Sequence, residues 1–421
     1  MQKPSRDGAA SRLIDDRGAP GRSGARSSWG IAILLVFVFT DRAAGETVEW
    51  LPGQSLVEGQ QAFASGGCAR CHPVLGTGTG GAGPDLARSA TSRDMAQTAA
   101  ALWNHAPIQG QVERDAGSAP ATLTPDDAGQ IVGYLFQLGF RDRPGDVERG
   151  RLRFQERSCA RCHQLRGQGG TIGPRLDEIA PWVTALFLAE AVWTHGARMA
   201  DKMAALDIQR PQLTTDDVDD LLAFLRGSRE PVASLEQVAA QTGRPDQGKG
   251  VFSRKGCLQC HAIRGTGGAI GPDLGVRRPG WRLAAVVAAL WNHGPTMWAL
   301  MQSRGTPVPQ LTEREMADVV AYLCFVQYAN IEGDATRGAA LFREKSCALC
   351  HPTAAGSAGS GGPDLVGAAI ARSPLRWTAA MWNHAPAVEA QLRARGLPWP
   401  HFEGDEMRDL VAFLRASGGA R

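Results

Sequence analysis

Only one of the nine cysteines in this 421-residue chain, Cys324, lies outside a short repeated motif. No disulfide framework is therefore available to hold small, loop-rich domains together. Basic excess is missing too. The formal net charge is +3, from 45 basic and 42 acidic residues. Residues 1–45 hold seven of those bases and four of those acids, so 38 of each remain in the rest of the chain. A balanced chain with no basic stripe excludes nucleic acid as a partner. Sustained period-2 alternation is also absent, which argues against a sheet protein. The composition, 43% hydrophobic and 21% charged, is that of globular protein.

The N-terminal apolar run, Trp29–Thr40, has 12 residues, short of the roughly 20 needed to cross a bilayer as a helix. Arg22 and Arg26 precede it, and Ala43-Ala44-Gly45 follows as a small-residue cleavage point. Residues 1–45 thus read as a signal peptide, and the mature protein is expected to be periplasmic or otherwise exported. Contact with a membrane is expected only if this segment stays on as an uncleaved anchor.

What the chain does have is C-x-x-C-H, four times. The copies are Cys68/Cys71/His72, Cys159/Cys162/His163, Cys257/Cys260/His261 and Cys347/Cys350/His351. Two thiols one turn apart can each form a thioether to a haem vinyl group, and the adjacent histidine then ligates the iron. A structural zinc site or a redox dithiol are the other uses of such cysteines. Four copies in register point to four covalent haem c groups. The first cysteines lie 91, 98 and 90 residues apart, the period of a small domain.

Each repeat carries the same landmarks around its motif. Gly-x-x-x-Phe precedes it, as Gly59/Phe63, Gly150/Phe154, Gly248/Phe252 and Gly338/Phe342. The spacing places glycine and phenylalanine on one face of a short helix. Gly-Pro-x-Leu follows, its proline 11 or 12 residues past the motif histidine (Pro84, Pro174, Pro272, Pro363). A carbonyl in that loop is expected to accept a hydrogen bond from the other nitrogen of the histidine. Trp-x-His then ends a helix, at Trp103/His105, Trp193/His195, Trp291/His293 and Trp382/His384. An amphipathic helix closes each repeat, with Thr124, Thr214 and Thr312 as expected N-caps in the first three and Glu403 in that place in the fourth.

These landmarks resemble the class I cytochrome c family, in four tandem copies covering nearly everything after residue 45. The resemblance implies an all-α fold of four cytochrome c-like domains, placed at 46–141, 142–232, 233–331 and 332–421. In that family the first helix crosses the last, and haem is attached outside the cytoplasmic membrane, which agrees with export. A methionine in the loop before the last helix usually completes the iron coordination. Those loops hold no methionine here. His105, His195, His293 and His384 recur 32 or 33 residues after the motif histidines and are the expected sixth ligands. Met199 and Met297 compete with the histidine in the second and third repeats; Gln109 and Val388 hold those places in the first and fourth. The Trp residues beside these histidines are expected to wall the haem. Cys324 is expected to be a small buried apolar side chain, and His401 a surface residue.

The expected function is electron transfer between redox partner proteins, a donor and an acceptor. No nucleophile or base constellation stands out. The alternatives are a haem enzyme with one open iron, in the first or fourth repeat, acting on a small molecule, and a haem-bearing subunit of an oxidoreductase complex.

Overall fold

The computed structural model describes residues 56–76, 83–89, 94–117, 121–138, 142–227, 242–276, 282–329, 332–352, 361–365 and 373–416. The expected signal segment lies outside them. Among the described residues, the long helices fall into four sets of three. Domain 1 has α1 (Leu56–Ser65), α2 (Met95–Asp115) and α3 (Pro125–Leu138). Domain 2 has α4 (Val147–Glu156), α5 (Ala185–Ala205) and α6 (Thr215–Arg226). Domain 3 has α7 (Pro245–Arg254), α8 (Leu283–Ser303) and α9 (Glu313–Tyr328). Domain 4 has α10 (Ala335–Glu344), α11 (Pro374–Ala394) and α12 (Glu406–Ala416). Strand is confined, among the described residues, to two short hairpins, Gln164–Leu165 with Gln168–Gly169 and Ala262–Ile263 with Thr266–Gly267. No helix of the described residues is long and apolar enough to cross a membrane.

In every domain the first helix crosses the last, and the Gly-x-x-x-Phe pattern explains how. A Cβ on Gly150 would lie 1.9 Å from the Asp220 carbonyl oxygen of α6, so only glycine permits so close a crossing. One turn on, the phenylalanine meets an aromatic ring of the last helix. Phe63–Tyr134, Phe154–Phe224, Phe252–Tyr322 and Phe342–Phe413 have centroids 5.5 to 5.8 Å apart. Such a pair adds about 0.5–1.5 kcal/mol beyond the area it buries. The last helices start as expected. Thr214 and Thr312 form capping boxes with Asp217 and Glu315, and the Thr124 hydroxyl accepts from the Asp127 N–H at 3.1 Å. In the fourth repeat the Glu406 carboxylate accepts from the Glu403 N–H instead.

The domains pair in nested order, 1 with 4 and 2 with 3. α2 packs on α11, and α5 on α8. One apolar cluster joins Ala96, Ala99 and Trp103 of domain 1 to Phe402, Met407 and Leu410 of domain 4. Another joins Val218 and Leu222 of domain 2 to Leu283, Val287 and Val320 of domain 3, and takes in Phe136 of domain 1. Half-buried Cys324 packs against this second cluster, and His401 is exposed.

Candidate haem sites

Each C-x-x-C-H forms a 3-10 turn, in which the histidine N–H donates to the first cysteine carbonyl at 2.9–3.0 Å. Ser158 and Ser346 take positive φ (64° and 66°) to turn the chain from the first helix into the motif. None of the eight motif cysteines is in a disulfide.

The sequence treats the two thiols of each motif alike, but the structure gives them different places. Cys68, Cys159, Cys257 and Cys347 open the turn and pack half-buried against the hydrophobic cores. Burial pushes each of these thiols up to about 11. Cys71, Cys162, Cys260 and Cys350 cap the C-terminal end of the turn, each N–H donating to the first cysteine carbonyl at 3.2 Å. These four are also half-buried. Cys350 has a polar neighbour, since Arg395 Nη1 lies 3.7 Å from its Sγ. One thiol of each pair is thus packed against the core and the other lies at the turn's far end, beside the histidine.

The Gly-Pro-x-Leu loop folds against the motif. The glycine N–H donates to the carbonyl of Cys71, Cys162, Cys260 or Cys350, at 2.8–3.0 Å in all four copies. The proline carbonyl then accepts from the histidine Nδ1: His72 to Pro84, His163 to Pro174 and His261 to Pro272 at 3.0 Å, and His351 to Pro363 at 2.9 Å. With Nδ1–H spent on the carbonyl, the Nε2 lone pair is the one left to face a metal. A Cβ on Gly271 would stand 2.3 Å from the His261 ring, which makes this loop a fitted cradle for the imidazole.

These residues fit haem c. Two thiols outside any disulfide share one turn with a histidine whose tautomer and orientation are fixed for ligation. No three His, Cys, Asp or Glu side chains converge among the described residues as a structural zinc would need.

On the facing side the domains divide. The His72 and His105 rings have centroids 5.6 Å apart, and His351 and His384 5.9 Å. Two imidazoles sharing a metal at about 2 Å from each nitrogen would have centroids roughly 6 Å apart. Burial, and then the facing His72, hold His105 below its ordinary pKa; burial and His351 do the same for His384. A lowered pKa favours the neutral imidazole, the form that ligates. In domains 2 and 3 the second histidines are placed differently. His195 is exposed, and its Nδ1 accepts from Arg198 Nη2 at 2.6 Å. That places its proton on Nε2, the wrong tautomer for ligation through that atom. His293 is exposed, as is His384 of domain 4, so exposure alone does not set these domains apart; Met199 is half-buried, and Met297 packs against the core shared by domains 2 and 3.

A family model described as cytochrome c matches residues 56–139, 147–229, 245–325 and 335–417. The chain belongs to the cytochrome c family. No curated protein matches it. Cytochrome c domains bind haem covalently through such motifs and carry electrons.

The four Trp residues beside the second histidines reach into another domain. The indole N–H of Trp103 donates to Pro400, of Trp382 to Ala121, of Trp193 to Pro309 and of Trp291 to Pro211, all at 2.7–2.8 Å. The accepting carbonyls lie in the loops before the last helices, where relatives usually place a methionine. Here those loops are docking edges. Arg210, in one of them, lies over the Trp291 ring at 3.8 Å and donates to the Trp291 carbonyl. Pro295, four residues on, has no N–H to satisfy that carbonyl. The Asn that stands between Trp and His in three repeats was the available signal, since a buried amide and an indole both need partners.

Proposed function

We propose that this cytochrome is an exported electron carrier that holds four haem c groups, one per domain, and passes electrons between a donor and an acceptor protein. The observation that carries this reading is the fourfold repetition of one construction: cysteine pair, Nδ1–carbonyl bond and glycine cradle. Haem supplies reversible one-electron chemistry when bound. The chain supplies thioether sulfurs from Cys68 with Cys71, Cys159 with Cys162, Cys257 with Cys260 and Cys347 with Cys350. It supplies His72, His163, His261 and His351 as proximal ligands, and His105 and His384 as sixth ligands in domains 1 and 4. His195 or Met199, and His293 or Met297, are the candidates in domains 2 and 3. Export rests on the Trp29–Thr40 run and the Ala43-Ala44-Gly45 cleavage point.

Mass measurement of the denatured mature protein tests this: four covalent haems are expected, three after Cys257→Ala with Cys260→Ala. N-terminal sequencing is expected to begin near Glu46. Fewer than four haems from a host competent in attachment refutes the stoichiometry, and a soluble holoprotein that begins near Met1 refutes the cleavage.

A second reading is an open iron acting on a small molecule, in a free enzyme or in a haem-bearing subunit of an oxidoreductase complex. One observation favours it, the occupied Nδ1 of exposed His195. It belongs to domain 2, whereas the sequence alone pointed to the first or fourth repeat. Carbon monoxide binding by the reduced, unsubstituted protein separates the two.

A further inference from the structure

The spatial order of the domains differs from their order in the chain. Among the described residues, aromatic contacts link them in the sequence 4–1–3–2, and a small cluster of Met95, Val132 and Leu375 with Tyr328 and Ala329 lies where domains 1, 3 and 4 meet. Between 4 and 1, Trp399 stacks on Trp103 with centroids 4.3 Å apart. Between 1 and 3, Phe136 meets Phe325 at 5.9 Å and Tyr328 at 5.1 Å, and the Thr98 hydroxyl lies 3.3 Å from the Tyr328 hydroxyl. Between 3 and 2, Trp298 meets Trp193 at 6.3 Å, and a Cβ on Gly196, the residue after His195, would lie 2.3 Å from the Trp298 ring.

Two of these interfaces carry ion pairs of opposite polarity. Asp94 caps α2 of domain 1 and forms a buried ion pair with Arg408 of domain 4. Arg282 occupies the same N-cap position on α8 of domain 3 and pairs with Asp219 of domain 2 at 2.5 Å and Asp216 at 2.8 Å. Arg408 and Asp219 are themselves equivalent, each one residue before the carbonyl against which the first-helix glycine packs, Asp409 for Gly338 and Asp220 for Gly150. The two pairs thus use one site with opposite polarity. If chain neighbours paired instead, Asp94 would meet Asp219, and Arg282 would meet Arg408. Like charges there oppose the wrong partner.

We propose that electrons cross this cytochrome in the order 4–1–3–2 or its reverse, with domains 2 and 4 as the terminals that face the partner proteins. The proposal rests on the haem-carrier reading above. One electron moves at each step: the giving domain is oxidised by one equivalent and its neighbour reduced by one. A protein reductant refills the first terminal, and a protein oxidant empties the last. The aromatic contacts lie along this path and are not themselves oxidised.

The test is a redox titration of the full-length holoprotein, followed through the paramagnetically shifted haem methyl signals. Cys-to-Ala pairs in single motifs assign each signal to a domain. In the unsubstituted protein, the midpoint of haem 1 is expected to shift with the oxidation state of haem 4, and that of haem 3 with haem 2. Asp94→Arg is expected to abolish the 1–4 shift while four haems are kept, and Asp94→Arg with Arg408→Asp to restore it. Shifts linking haem 1 to haem 2 and haem 3 to haem 4 in place of these overturn the proposed order. So does an Asp94→Arg protein that retains the 1–4 shift. If Asp94→Arg fails to hold its haems, the pattern in the unsubstituted protein decides alone. Fewer than four haems in the unsubstituted protein refutes the carrier reading and the order with it, whereas four haems with another coupling pattern refute the order alone.

Discussion

Asn104 and Phe402, 298 residues apart in the chain, exchange two hydrogen bonds across the domain 1–4 interface. The Asn104 amide donates to the Phe402 carbonyl at 2.7 Å, and the Phe402 N–H donates back to Asn104 Oδ1 at 2.9 Å. Asn383 makes the same pair of bonds with Leu123, and Asn292 with Leu213. The second repeat breaks this pattern. Thr194 stands where asparagine would, and its hydroxyl donates to Glu190 in its own helix.

The missing asparagine gives a prediction in the stabilising direction. Thr194→Asn is expected to reach Leu311, the residue equivalent to Leu213, and to add about 1 kcal/mol. Asn104→Ala is expected to cost about 1–3 kcal/mol, because it leaves two half-buried backbone groups unpaired. Denaturant unfolding of the holoprotein measures both. A neutral Asn104→Ala would show that water replaces the amide there.

Gly271→Ala is expected to lower the yield of fully loaded protein. The new Cβ would overlap the His261 ring and turn its Nε2 away, a cost of about 1–3 kcal/mol for an overpacked site. Haem count and the absorption of the third centre report it. Gly305→Ala serves as the control, since a Cβ there meets nothing within 4 Å. It carries only its own local cost, from a positive φ of 65°.

His105→Ala and His384→Ala are each expected to open one iron to carbon monoxide or cyanide, because these rings face the motif histidines. Arg198→Ala is expected to free the His195 Nδ1 and let that ring turn and bind. If His195 then ligates, the domain 2 signal moves to lower potential than a methionine-ligated iron, since methionine raises the potential. An unchanged spectrum in both histidine variants would rule out His105 and His384 as ligands.

Acid stability has a defined sign. The Thr312 backbone N–H and the Lys255 ammonium hold Glu315 below its ordinary value of 4.5. A carboxylate with a depressed folded pKa stabilises fully above its unfolded value, and the contribution fades as pH falls through the folded one. Glu315→Gln is therefore expected to lower stability above its ordinary value of 4.5 and to flatten the loss below it. Thermal unfolding from neutral pH into the acid range checks this; identical curves for the two proteins would contradict it.

The cofactor sites were legible in the sequence because they are local. The attachment motif spans five residues, and its cradle lies within 12 residues of the histidine. Glycine, proline and histidine at fixed spacing are each required by short-range geometry. The helix-crossing glycines and the threonine caps were readable for the same reason. Spacing did not separate the core-set thiols, such as Cys68, from their turn-end partners, such as Cys71, because that difference comes from the helices packed around the motif. What the tertiary structure decided is everything that depends on long-range pairing. The Trp residues read as haem walls, and only the fold showed that their indoles and the neighbouring Asn amides find partners some 80 to 298 residues away. The ion pair of Asp94 with Arg408 also joins domains distant in the chain, and that of Arg282 with Asp219 uses the equivalent site with opposite polarity. Periodicity carries no trace of either pair, because a salt bridge between distant helices leaves no mark on the spacing within either one. The sixth ligands fall between these cases. Sequence supplied the four histidines in register, and only the fold showed two of them facing their partners and a third held by Arg198.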